Sequence, residues 1–145
     1  MKTLSLCFAL MLFTTLTFAG NANILGKWYT TNKEGIVEIY QCGSKLCGKI
    51  VWLKEPNKDD GTPKTDENNP DASKKKQPII GLSMLKGFVP DGDKAWEDGE
   101  IYDPKNGKTY SCEMELNGEV LEVRGYIGIS LFGRTEKWTR VKNGS

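Results

Sequence analysis

The sequence predicts an all-β protein of about eight short antiparallel strands, on two observations. Apolar and polar residues alternate with period two in one short segment after another, with turn-forming residues between the segments. No stretch carries the 3.6-residue apolar period of a long helix, which leaves room for at most one short helix or lid. Sixteen glycines and 10% aromatics agree with a β-rich chain that turns often. At 145 residues the chain has length for one domain with a real core.

Met1 to Ala22 reads as a secretory signal peptide. Lys2 supplies a positive start, Leu4 to Phe13 are almost wholly apolar, and small residues follow at Ala19, Gly20 and Ala22. The alternative, an anchoring helix, needs roughly twenty apolar residues, about twice what is present. The expected organisation is therefore a leader over 1–22, one domain over 23–141 and a tail over 142–145. Export implies a periplasmic or secreted protein, and no other segment is apolar enough to span a membrane. Cys7 leaves with the leader.

The net charge of +1 becomes zero once Lys2 is removed, and lysines and acids are interspersed without a basic stripe, which argues against nucleic-acid partners. Histidine is absent. Ser-His-Asp and Cys-His machinery, the commonest general base near neutral pH and the commonest ligand of zinc, copper and haem go with it. No cofactor and no metal are assigned.

Ile24 to Thr31 is the first strand, with Trp28 facing inward. Asn32 to Gly35 turns the chain into Ile36 to Gln41, where Val37 and Ile39 alternate with Glu38 and Tyr40. Cys42 and Cys47 flank the turn into a β-rich run, Lys49 to Leu53. In an oxidising compartment two cysteines so placed close a cross-hairpin disulfide, expected here to pin the register. A redox pair is the alternative, but the spacing is not that of thiol oxidoreductases. Cys112 is left as a small buried thiol, with a three-cysteine metal site as the alternative.

Residues 54–78 form the longest stretch without apolar periodicity, a length that is usually functional or disordered. Asp66 to Asp71 is oxygen-rich and invites a calcium reading, yet lacks the alternating ligands and central glycine of an EF-hand; Asn and Asp beside Pro also make ordinary turns. Ile79 to Phe88 is apolar, either a core strand or a helical turn acting as a lid. A meander follows through Ala95–Trp96, Gly99 to Asp103, Lys108 to Leu116 and Glu119 to Tyr126, its connectors carrying Asn106-Gly107 and Asn117-Gly118, strong hairpin signals. Tyr110, Cys112, Met114 and Leu116 share one face, while Glu113 and Glu115 lie on the wet face. In the last strand Arg134, Glu136, Trp138 and Arg140 point one way.

Such a run of short strands means a sandwich or a barrel. Gly26-Lys27-Trp28 in the first strand with Arg140 in the last resembles a pairing of lipocalin-like barrels, where closure lays the arginine on the indole; Trp28, Trp138 and Arg140 then take structural roles. An eight-stranded barrel is filled by side chains or holds one small ligand. More widely, the chain resembles the small secreted bacterial proteins of the domain of unknown function 2147 family, from about Gly26 to Arg140. The resemblance rests on Gly26-Lys27-Trp28, Cys42 with Leu46-Cys47-Gly48, Asp66 with Asn69-Pro70, and Gly81-Leu82. It continues through Ile101-Tyr102-Asp103-Pro104 with Gly107-Lys108-Thr109-Tyr110, Val123 to Gly128, and Leu131 to Thr135 with Trp138 and Arg140. It implies a lipocalin-like antiparallel barrel and export, and no reaction.

The leading functional expectation is a small, lipophilic or anionic ligand inside the barrel. Arg124 and Tyr126 sit two apart on one strand, a guanidinium and a phenol suited to clamp a carboxylate, as in the Arg-x-Tyr clamp of fatty-acid-binding barrels, with Arg134 as a second cation. Against this, Arg124 and Arg134 can pair with Glu122 and Glu136 or lie outside. A second class is a structural or interaction module presenting residues 54–88 over a filled barrel. A third is an enzyme using Tyr126, the arginines and an acid such as Asp103. Oligomeric state is left open.

Overall fold

A computed structural model describes residues 23–142. The expected leader, and the tail beyond 142, lie outside the described residues. Eight strands follow in order: β1 (Gly26–Tyr29), β2 (Gly35–Cys42), β3 (Lys45–Leu53), β4 (Ser83–Pro90), β5 (Ala95–Asp103), β6 (Lys108–Asn117), β7 (Val120–Tyr126) and β8 (Arg134–Arg140). Each pairs antiparallel with the next, and β8 returns to β1, so the sheet is a closed barrel. The helical content of the described residues is three single 3-10 turns, at Thr31–Lys33, Ala72–Lys74 and Ser130–Phe132.

The closing seam is short: Trp28 sits opposite Arg140 and Tyr29 opposite Thr139. Side chains reinforce it. The Arg140 guanidinium lies 4.2 Å from the centre of the Trp28 ring, donates to the Leu25 carbonyl at 3.1 Å and also to the Asn23 carbonyl. A cation over an indole contributes roughly 0.5–2 kcal/mol, most where water is excluded, and Trp28 is fully buried.

That seam belongs to the closed end of the barrel. Trp28, Trp96 and Trp138 are buried there with Phe88, Leu46 and Leu121, and Ile24 covers them from below, its carbonyl accepting from Trp28 Nε1 at 2.8 Å. Large rings fit because small residues sit beneath them. A Cβ on Gly99 would lie 2.4 Å from the Phe88 ring, and one on Gly48 would lie 2.9 Å from Leu85. The register of β5 shifts between Trp96 and Gly99, with Asp98 at φ 58°, so the two segments read from the sequence are one bulged strand.

The β2–β3 hairpin carries the Cys42–Cys47 disulfide across a two-residue turn, Gly43–Ser44, with Cα atoms 5.8 Å apart. The four residues between the cysteines reduce to a two-residue turn because Lys45 already pairs with Cys42, and Gly43 supplies the positive φ of 65°. So short a loop restrains little chain entropy. The Cys42→Ser/Cys47→Ser double variant is expected to keep the fold and lose about 2 kcal/mol in a denaturant titration; collapse of the barrel would assign the bridge a larger part than register. Cys112 is the small buried thiol expected, and burial, helped by Glu113 and Glu136, pushes its pKa up to about 12.

Candidate functional site

The opposite half of the barrel is hollow. A cavity of about 920 Å³ opens among the β1–β2, β3–β4 and β5–β6 connections. Val37, Ile50, Ile79, Met84, Ile101 and Val123 give it an apolar lining, with polar and charged residues, many of them from the loops, around them. The strands explain the change from packed to hollow. Along β7 the inward positions run Leu121, Val123, Gly125, so the side chain shrinks toward the mouth. Gly125 lines the cavity without crowding: a Cβ there would meet Ile101 at 3.5 Å and Tyr110 at 3.7 Å, ordinary contact distances. The volume is within the range of small-molecule sites, about 300–1,000 Å³.

The long β3–β4 connection forms one wall of the mouth and is ordered by its own main-chain bonds. Lys58 N–H donates to Thr62 O, Lys64 N–H to Pro56 O, Asp66 N–H to Gln77 O and Ile79 N–H to Lys64 O. Asp66, the buried charged residue of the described chain, fastens it to β5: its carboxylate accepts from Tyr102 Oη at 2.8 Å and from Asn69 Nδ2 at 2.7 Å. Burial first, then this bond, raises the Tyr102 phenol to about 12. Asn68 Nδ2 donates to the Pro104 and Lys105 carbonyls, and the loop presses so closely on the β5–β6 turn that a Cβ on Gly107 would stand 1.8 Å from Asn68 O. The oxygen-rich run thus makes turns and anchors: Asp71 accepts from Ser73 at the start of a 3-10 turn, and among the described residues no group of three or more His, Cys, Asp or Glu side chains converges on a metal position. Ile79 to Leu82 form a turn leading into the strand; Ile79 itself lines the cavity.

The mouth is charged but largely self-neutralised. Lys105 pairs with Glu34 at 2.8 Å, Lys64 with Glu55 at 3.9 Å, and Lys58 with Glu67. The Lys105 ammonium holds the Glu34 carboxyl below its usual range, and Glu34 in turn raises Lys105. Asp103 lines the cavity and accepts from the Lys105 N–H.

Arg134 and Glu136 line the cavity from β8, on the face that also carries Trp138 and Arg140. Glu136 accepts from Trp138 Nε1 at 3.3 Å. The Arg134 side chain has no hydrogen-bond or ion-pair partner among the described residues, and no bridge joins it to Glu136. Tyr110 reaches the same space from β6, its hydroxyl accepting from Asn106 Nδ2 at 2.9 Å.

Arg124 and Tyr126 are not brought to this site. Val123 and Gly125 take the inward positions of β7, and Arg124 and Tyr126, which alternate with them, face outward, so the expected clamp on one strand does not line the cavity. Arg124 is half-buried and fully engaged: Nε donates to Ser130 O at 2.8 Å, Nη1 to Thr135 Oγ1 at 2.7 Å and Nη2 to Leu131 O at 3.3 Å. It braces the β7–β8 loop and does not pair with Glu122. Tyr110, whose place on an inward face was legible, is the phenol that shares the cavity with Arg134.

Three comparisons bear on these observations. The family model described as an uncharacterised protein conserved in bacteria, DUF2147, matches residues 26–140. A solved structure described as "Protein HP1028 from the human pathogen Helicobacter pylori belongs to the lipocalin family" is similar with a TM-score of 0.72 and 22% identity, over 82% of this chain and 83% of that one. At that identity the likeness concerns the fold alone. No curated protein matches the sequence.

Proposed function

The chain belongs to this family of uncharacterised bacterial proteins, DUF2147, on a lipocalin-like barrel, and from that premise we propose that it is an exported carrier of a small, partly apolar, anionic ligand. The observation that carries the reading is the hollow upper barrel with an exposed guanidinium, Arg134, at its wall that has no partner among the described residues. An apolar tail would displace water from Val37, Ile50, Met84 and Ile101, while an acidic head would meet Arg134 with Tyr110 beside it. Export is supported by the apolar residues Leu4 to Phe13 with small residues after them, and by the Cys42–Cys47 bridge, which suits an oxidising compartment.

Binding isotherms for a medium-chain fatty acid and for the alcohol of equal length test this reading. Wild type is expected to favour the acid, and Arg134→Gln to lose about tenfold in affinity for the acid, roughly 1.4 kcal/mol, with little change for the alcohol. Equal loss for both ligands, or none, would remove Arg134 from the proposal. A wild type that binds neither would remove the carrier.

A further inference from the structure

The β7–β8 loop, residues 127–133, exposes Ile127 (72%), Ile129 (57%), Leu131 (77%) and Phe132 (79%), large apolar side chains gathered on one short loop. Their exposure is built in. Arg124 holds the carbonyls of Ser130 and Leu131, the Ser130 hydroxyl donates to Glu113, and the backbone of Ser130–Phe132 is wound into a 3-10 turn. Gly133 lets the loop close on β7: a Cβ there would stand 2.9 Å from Gly125 O and 3.0 Å from Arg124 Nε. A loop tied down at its base in this way keeps its apolar tip turned outward.

We propose that this loop is a docking element for an anionic phospholipid surface. Along the chain the charges nearest the apolar tip are two cations, Arg124 and Arg134, set against a single carboxylate, Glu113, at the base of the loop, with Glu122 and Glu136 further from the tip. Apolar residues that sink into the acyl boundary, collared by arginines at headgroup level, are the pattern of interfacial anchors. A stable protein interface needs about 20–30 residues a side, far more than one loop tip, whereas a bilayer needs only that the tip be immersed. The loop joins β7 to β8 at the end where the cavity opens, so docking would bring the mouth to the lipid surface. The inference shares Arg134 with the cavity reading, but the apolar contacts it needs are those of Ile127, Ile129, Leu131 and Phe132, none of which lines the cavity.

The test uses the full chain carrying Phe132→Trp, mixed with vesicles of phosphatidylglycerol and phosphatidylethanolamine or of phosphatidylcholine alone. On the anionic vesicles the emission of the introduced tryptophan, obtained by subtracting wild type, is expected to shift to the blue and to be quenched by lipids brominated in the upper acyl chain. Leu131→Asp/Phe132→Asp, which alters exposed side chains only, is expected to reduce vesicle partitioning at least tenfold relative to wild type while leaving fatty-acid binding in place. Absence of quenching at position 132 in a folded protein would overturn the proposal. So would unchanged partitioning of the double variant, or a loss confined to self-association in sedimentation, which would make a second copy the occupant. Because fatty-acid binding is read separately, failure here and failure of the carrier reading are distinguishable.

Discussion

Trp28→Ala is expected to destabilise the barrel by about 3–5 kcal/mol, the usual cost of removing a fully buried large aromatic, and so to leave little of the roughly 5–15 kcal/mol that holds a domain folded. Three connected losses produce this. The indole is fully buried at the closed end, its Nε1–H satisfies the Ile24 carbonyl, and its face receives the Arg140 guanidinium that ties β8 to β1. Since the β1–β8 seam has just two registered pairs, Trp28–Arg140 and Tyr29–Thr139, side chains carry much of the closure. Arg140→Gln, which removes the stack and leaves the indole, is expected to lose about 1–2 kcal/mol. Urea titrations of the two variants separate cavity from seam. A Trp28→Ala loss below about 1 kcal/mol would mean that the seam closes without it.

Gly99→Ala is expected to cost about 3 kcal/mol although it adds a single methyl group. The new Cβ would sit 2.4 Å from the Phe88 ring, and both residues are buried. Neither can yield easily, because Gly99 is held opposite Cys112 next to the β5 bulge and Phe88 opposite Leu46. Overpacking of this kind typically costs about 1–3 kcal/mol, more where nothing can shift. Phe88→Leu in the same background is expected to recover part of the loss, and the double-mutant cycle gives the coupling directly. Additive effects in that cycle would show that the clash is relieved by backbone movement elsewhere.

The barrel was legible because its two signals are local. Alternation at Val37 and Ile39, or at Cys112, Met114 and Leu116, declares which face of a strand is buried, and Asn117-Gly118 marks a hairpin without help from the rest of the chain. The meeting of Trp28 with Arg140 followed from closure. The candidate site was half legible. Arg134 lines the cavity, whereas Arg124 and Tyr126 share its suitability for an anion but not its place, because the alternation of their own strand turns them away. Leu121, Val123 and Gly125 already occupied the inward register, so Arg124 had to face outward. What no periodicity could supply was the β3–β4 connection. Beyond its own main-chain bonds, it is anchored by long-range ones, Asp66 with Tyr102 and Asn68 with the carbonyls of 104 and 105, between residues separated by more than thirty positions. Aperiodic sequence says nothing about such partners, and these residues shape the mouth.

The central claim, that the upper barrel is a container, is tested most directly at Gly125. Its Cβ position faces the cavity with no contact closer than 3.5 Å, so Gly125→Phe places a ring where the ligand would lie. Native mass spectrometry of wild type, recovered from cells without denaturant and then incubated with a medium-chain fatty acid, is expected to reveal a one-to-one adduct. Gly125→Phe, folded by circular dichroism and with its Cys42–Cys47 bridge intact, is expected to lose it. An adduct that survives in Gly125→Phe at full occupancy would put the ligand outside the barrel and contradict the account.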